Sequence, residues 1–308
     1  MTFWLILTRA VHIGASLLFF GILVFDRVTA SGFAGGQGGI ARYWKSRLQV
    51  FSFVLLPVIL ASGMAWFALV AMSMSGQPLE ADILKIVWAQ TQFGAVTKIR
   101  LIFLIAATIL SFFQRSALEV RNFATWVQTL AVGCLLGSLA WAGHGQEGPR
   151  WHLLADVVHL LAAGIWPAGL LPLFLLLRHA RRIAKPQDWP FISDLVSRFS
   201  SISLITVLLL VITGTANAIY LVGSFSNLVG QSYGRWLLVK IILFGAALAI
   251  AAVNLLRLKP RIMAEKLEPE NASATVAQLQ RNVQCELFLG SGIIAVVAVL
   301  GILPPAAQ

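Results

Sequence analysis

Apolar runs of roughly 18 residues or more recur along the whole chain, separated by short polar segments that hold most of the charge. A helix of that length, rising about 1.5 Å per residue, can cross a hydrocarbon core about 30 Å thick. Eight spans follow from the pattern: Phe3–Phe25, Val50–Met72, Ile99–Phe113, Phe123–Trp141, Leu153–Leu177, Ile202–Leu221, Leu237–Leu256 and Val283–Leu303. The third is short as written. It is expected to begin earlier, with Lys98 and Arg100 snorkelling to the surface along their aliphatic stems. The first begins without a basic leader and does not end in an A-x-A cleavage site, so it reads as a retained span. The fold class predicted is all-α: a polytopic membrane helix bundle of eight transmembrane spans, forming one integral membrane domain over residues 1–308.

The longest connections are Asp26–Gln49, Ser73–Lys98 and Arg257–Asn282, none long enough to build a sizeable soluble core. Asp26–Gln49 carries FAGGQGG, which reads as a flexible turn. Leu79–Phe93 within the second connection reads as a short amphipathic helix lying on the outer surface.

Composition agrees with the pattern: 58% hydrophobic and 11% charged residues, with a mean hydropathy of +0.84. Cys134 and Cys285 fall in different spans and imply no disulfide framework. The net charge of +11 would suggest an anionic partner in a soluble chain, but its distribution says otherwise. The connections after spans 1, 3, 5 and 7 hold 16 of the 23 basic residues, which directs those connections to the cytoplasm and both termini to the periplasm. No nucleic-acid partner is needed to explain the charge, and the lipid bilayer is the partner implied. The RHARRIAK run at Arg178–Lys185 is a topology signal first; an anionic-lipid or partner patch is its functional alternative.

The candidate chemistry concentrates in Gly143–Trp166, which contains His144, His152, Asp156 and His159. On a helix, His152, Asp156 and His159 share one face, being spaced i, i+4 and i+7. His12 is a further histidine within a span. Ionisable groups inside membrane spans usually face the protein interior or a wet cavity, as His12 and His159 would; with His144 and His152, which flank the loop between spans 4 and 5, they are candidate metal ligands, and packing histidines are the alternative. Imidazole suits copper, zinc, iron or nickel, and no HExxH or CxxC spacing narrows the choice. Asp156 could orient a ligating imidazole or pair with Arg9 or Arg150. Met72 and Met74 offer soft thioethers of the kind that favour Cu(I), or fill core space. Glu286, with Asn254 near the matching end of the preceding span, suggests a polar inner gate or simple interfacial solvation. Nothing resembles a P-loop, a dinucleotide fingerprint or a Ser-His-Asp set. The chain therefore reads as a transporter or metal-binding membrane protein rather than an enzyme.

A weak repeat runs through the chain. Arg9-Ala-Val-His12 matches Asp156-Val-Val-His159, Ser62-Gly63 matches Thr213-Gly214, and Lys98-Ile-Arg-Leu-Ile matches Lys240-Ile-Ile-Leu-Phe. Residues 1–142 and 143–308 are thus candidate parallel repeats about an axis along the membrane normal; chance similarity of apolar segments is the alternative. The repeat would bring His12 and His159 face to face at like depth and pair Arg9 with Asp156.

Several segments together resemble the copper-resistance protein D family (CopD/PcoD) of the bacterial inner membrane. They are Gly143-His144, the stretch from His152 to Trp166 with Gly169 and Pro172, Arg198-Phe-Ser200, Thr213-Gly214 with Asn217, Tyr233-Gly234 through Lys240, Asn254, Glu286 and Leu303-Pro304-Pro305. The likeness is specific over 143–305 and looser over 1–142. It implies copper homeostasis, with copper as the bound ion, moved across the inner membrane from the periplasm, and a periplasmic copper-binding protein as candidate partner. Many members use methionine-rich segments; this chain has five Met, which shifts the weight to the histidines. A rival reading makes His12 and His159 axial ligands of a b-type haem in a membrane redox protein. A third makes the chain a non-transporting assembly or sensor subunit.

Overall fold

A computed structural model describes residues 1–30, 39–113, 118–143, 148–183, 188–264 and 269–307, and among them every regular element is a helix. In chain order these are α1 (Thr2–Ala30), α2 (Gly39–Ser75), α3 (Ala81–Gln90), α4 (Gln92–Phe112), α5 (Leu118–Gly137), a 3₁₀ turn Ser138–Ala142, α6 (Arg150–Ile183), α7 (Trp189–Val222), α8 (Phe225–Gly230), α9 (Ser232–Val253), a π-helical turn Asn254–Leu258, α10 (Lys259–Ala264) and α11 (Pro269–Leu300). Eight helical stretches are long and apolar enough to cross a membrane, in agreement with the eight spans. Most are longer than the apolar pattern suggested. The 37 residues of α2, at about 1.5 Å each, extend well past a 30 Å hydrocarbon core.

The connections are correspondingly more helical than expected. The segment expected to be amphipathic forms α3, and Thr91 ends it and caps α4, its hydroxyl oxygen accepting from the Gly94 N–H at 3.0 Å. Residues 33–38 of the Gly-rich turn lie outside the described residues. Arg100 does not snorkel to the surface. It is 7% exposed, turned into the bundle.

The large exposed apolar side chains line outward faces, as Ile102, Ile105 and Ile109 do on α4 and Leu204, Leu208 and Ile212 on α7. Lipid is as apolar as these side chains, so helix association must rest on close packing. The centre is the α1–α6 pair. A Cβ added at Gly21 would lie 2.5 Å from the Gly164 carbonyl oxygen and 2.9 Å from the Ala168 Cβ. Only glycine lets the two backbones approach this closely. Fully buried Phe19, Ile22, Leu23, Leu176 and Leu177 fill the space around the crossing.

The other helices wrap this pair in two sets. α2 packs on α1 and α7 on α6; α4 packs with α5 and α9 with α11. The short helix α3 sits on α4, and α8 sits on α9. The contact is alike in both: a Cβ at Gly94 would run into the carbonyls of Val87 and Trp88, and one at Gly234 into those of Asn227 and Leu228. α2 and α7 both stop at a left-handed glycine, Gly76 (φ 68°) and Gly223 (φ 71°). Each N–H bonds back to a carbonyl of the last turn, that of Met72 or Ile219. This is the usual helix stop, because glycine alone takes that φ without steric cost.

Candidate metal-handling site

Several candidate residues fall into two clusters toward the end of the bundle where α1 begins and α11 ends. In the first, α1 turns His12 toward α2. The His12 Nδ1 is 3.1 Å from the Ser62 hydroxyl and 3.1 Å from the Ile59 carbonyl. Ser62 gives its own proton to the Val58 carbonyl at 2.6 Å, so its oxygen can only accept. The Nδ1 must therefore carry the proton, which leaves Nε2 as an acceptor, and Arg100 donates to that Nε2. Both ring nitrogens are engaged. Gly63 makes room for the ring: a Cβ there would be 3.1 Å from the His12 Cε1. The Trp66 indole, 2% exposed, lies 5.6 Å from the His12 ring. It receives two guanidiniums, with the Arg9 Cζ 5.0 Å and the Arg100 Cζ 5.2 Å from its ring centre, within cation–π range. Two atoms here are buried without a hydrogen-bond partner, Arg9 Nε and Trp66 Nε1. Both are N–H donors.

The second cluster has the same frame and different contents. α6 turns His159 toward α7, with its Nδ1 2.9 Å from the Thr213 hydroxyl. Thr213 donates to the Leu209 carbonyl at 2.6 Å, so Nδ1 is again the protonated nitrogen. Gly214 again lies under the ring, 3.3 Å from an added Cβ to the His159 Cε1. No hydrogen bond occupies the His159 Nε2 among the described residues, and that atom carries the lone pair. One turn toward the outside, Asp156 accepts from the Asn217 amide at 2.5 Å, and Lys240 and Tyr233 lie within electrostatic reach of it. A further turn out, His152 is fully buried beside the Tyr220 ring, centroid to centroid 4.2 Å. Among the described residues, neither of its ring nitrogens has a partner. The Asn217 Oδ1 is likewise buried and unpartnered. Such groups are uncommon in folded proteins, and each calls for an explanation.

Comparison with known proteins gives the context. The family described as copper resistance protein D matches residues 193–300, and the one described as copper resistance protein D-like, N-terminal domain, matches residues 1–153. The chain belongs to the copper resistance protein D family. "Copper resistance protein D" of Pseudomonas syringae pv. tomato is 28% identical over 295 residues, 94% of this chain and 93% of that protein. "Copper transport protein CutJ" of Bacillus subtilis (strain 168) is 33% identical over 140 residues, 44% of this chain and 25% of that protein. No solved structure matches. The family match reaches across the first half, which the sequence motifs placed less firmly than the second.

Within this family member the expected pairings across the centre do not form. His12 contacts α2 and α4, and His159 contacts α7; no hydrogen bond or ring contact joins the two. Both ring nitrogens of His12 are engaged, by Ser62 and Ile59 on one side and Arg100 on the other, so His12 offers no free nitrogen to a haem iron in this arrangement. Nor does Arg9 pair with Asp156: Arg9 lies over Trp66, and Asp156 is bonded to Asn217. The physical reason is that each ring is held by a hydroxyl on a neighbouring helix of its own half, His12 by Ser62 of α2 and His159 by Thr213 of α7.

The other candidates are dispersed. His144 lies outside the described residues. Met72 and Met74 sit at the outer end of α2, Met74 exposed, about 15 Å along the helix from Ser62. Glu286 is at the inner end of the second half. It is 2% exposed, accepts from Asn254 at 2.5 Å, and belongs to a chain in which Asn282 donates to Asn254 at 2.7 Å. Asn254 opens the π-helical turn, a feature frequent at functional sites. This group borders a cavity of about 190 Å³ whose wall includes Trp166, Phe199 and Ser203. Among the described residues, no three His, Cys, Asp or Glu side chains are grouped as a ready metal cage.

Motif reading missed the roles of Ser62, Thr213, Trp66, Asn217, Tyr220 and Arg100. The recurrence of Ser/Thr-Gly pointed to the first two. The common six-residue step from Gly94 to Arg100 and from Gly234 to Lys240 would have aligned the two cations. Matching on the shared Lys-Ile dipeptide placed the correspondence two residues off, at Lys98.

Proposed function

We propose that the protein carries copper across the bacterial inner membrane and admits it from the periplasmic side through its second half. The observation that carries this reading is the run of unpaired lone-pair atoms along one stretch of α6 and α7: the His152 ring, the Asn217 Oδ1 and the His159 Nε2, with the Asp156 carboxylate between the histidines. His152 and His159 are about 10 Å apart along the helix, too far to hold one ion together. They act as successive stations. Neutral imidazole is the ligating form, and Thr213 fixes the tautomer that offers Nε2. Asp156 attracts the cation, and Lys240 limits how tightly it is held. The names of the relatives, copper resistance and copper transport, support copper as the ion.

In this reading the basic connections face the cytoplasm, both termini face the periplasm, and a periplasmic copper-binding protein delivers the ion near His144 and His152. Residues 1–142 and 143–308 act as parallel repeats of which only the second handles the ion. Glu286 and Asn254 line the inner continuation. Copper uptake into proteoliposomes enclosing a Cu(I)-chelating dye tests the reading. His152→Ala should reduce uptake to the protein-free background. Undiminished uptake by a folded His152→Ala protein would refute it.

A further inference from the structure

At the end of the bundle opposite the histidines, α2 and α6 frame a cavity of about 480 Å³. Arg178, His179 and Arg182 of α6 form one wall; Tyr43 and Arg47 of α2 form the other. The walls meet in a ring stack. Tyr43 and His179 lie 3.7 Å apart, 10° from parallel, and the Arg47 Cζ is 5.1 Å from the Tyr43 ring centre. Arg178 and Arg182, four residues apart, project from the same side of α6. The remaining lining, Val50, Phe51 and Leu175, is apolar.

Among the described residues, no acidic side chain lines this cavity. Among the described residues, none of its three arginines takes part in an ion pair or a hydrogen bond. The adjacent Arg181 differs: it donates to Gln280 of α11 at 2.9 Å. Three like charges gathered on two helices raise a strong positive potential, which an anion between them relieves. Guanidinium forks match phosphate oxygens two at a time. A free phosphate would use the arginines and leave the apolar wall without a partner. A lipid would use both.

We propose that this cavity binds the headgroup phosphate of an anionic phospholipid, with the acyl chains along Val50, Phe51 and Leu175. Basic pockets between membrane helices on the cytoplasmic side are suited to such headgroups. The proposal is independent of copper handling.

Cardiolipin binding to the full-length protein, measured by native mass spectrometry against phosphatidylcholine, tests it. Cardiolipin should be retained in preference. Arg178→Gln with Arg182→Gln should weaken it by about 25-fold, roughly fivefold per arginine, since a basic residue near an anionic headgroup contributes about 1 kcal/mol. Arg181→Gln, on the α11 side, should leave binding unchanged. Arg47→Gln alone, on the opposite wall, should cost about fivefold, so the proposal stays testable if the double variant does not fold. Three results would each overturn it: equal retention of phosphatidylcholine, an equal loss in Arg181→Gln, or displacement of cardiolipin by inorganic phosphate at matched concentration.

Discussion

In the first half, α1 holds His12 against Ser62 of α2; in the second, α6 holds His159 against Thr213 of α7. The hydroxyl accepts from Nδ1 in both, having given its own proton to the carbonyl four residues back, and a glycine follows it in both. The third position then separates them. Arg100 lies near enough to occupy the His12 Nε2, whereas Lys240 stands beside His159 without bonding its Nε2. Around these rings, the first half has Arg9 and Trp66 where the second has Asp156 and Asn217. The unpartnered buried atoms of these two clusters sort the same way, N–H donors in the first and the His152 ring and an amide oxygen in the second. One frame thus presents positive charge in one half and ligand lone pairs in the other. On the function proposed above, the cation is taken by the second half and not by the first.

The comparison can be broken most severely at the seam. Gly21→Val forces a side chain into the Gly164 carbonyl and Ala168, and overpacking of that kind costs about 3 kcal/mol. Both halves should lose structure together, seen as a large drop in melting temperature in detergent. Independent melting of one half would show that they do not share this support. The next effect sharpens the contrast. Thr213→Val removes the acceptor that fixes the His159 tautomer and should weaken copper binding by about 10- to 100-fold, the usual range for a residue that orients a metal ligand. Ser62→Ala, the matching change in the first half, should leave copper affinity unchanged in the same titration. The smallest effect tests the likeness itself. Gly94→Ala and Gly234→Ala each place a methyl against two carbonyls of the short outer helix and should destabilise by about 1–2 kcal/mol. Thermal unfolding should give similar losses; a large loss in one and none in the other would mean that the two outer corners are built differently.

The membrane spans were legible in the sequence because each must satisfy length and hydropathy locally. The helix α3 was legible for a like reason, its polar and apolar faces being written in one short run. The six-residue step from Gly94 to Arg100 is also written in the chain, yet Arg100 reads as a snorkelling cation. Its burial depends on His12, 88 residues away, and nothing local marks it. The meeting of His12 and His159 was expected from symmetry alone. Symmetry sets equal depth but not which way a side chain turns at that depth, and Ser62 and Thr213 each hold one ring against a neighbouring helix of its own half. His152 was a candidate by its spacing, but its burial beside Tyr220, 68 residues on, is a tertiary contact that no local pattern encodes.

The claim that only the second half handles the ion is tested most directly by comparing two single variants. Cu(I) affinity, measured by competition with a chromophoric chelator, should fall sharply in His159→Ala and remain at the wild-type value in His12→Ala. Equal losses in the two variants would mean that the histidines share one ligand, and a loss confined to His12→Ala would place the ion in the first half; either would contradict the account.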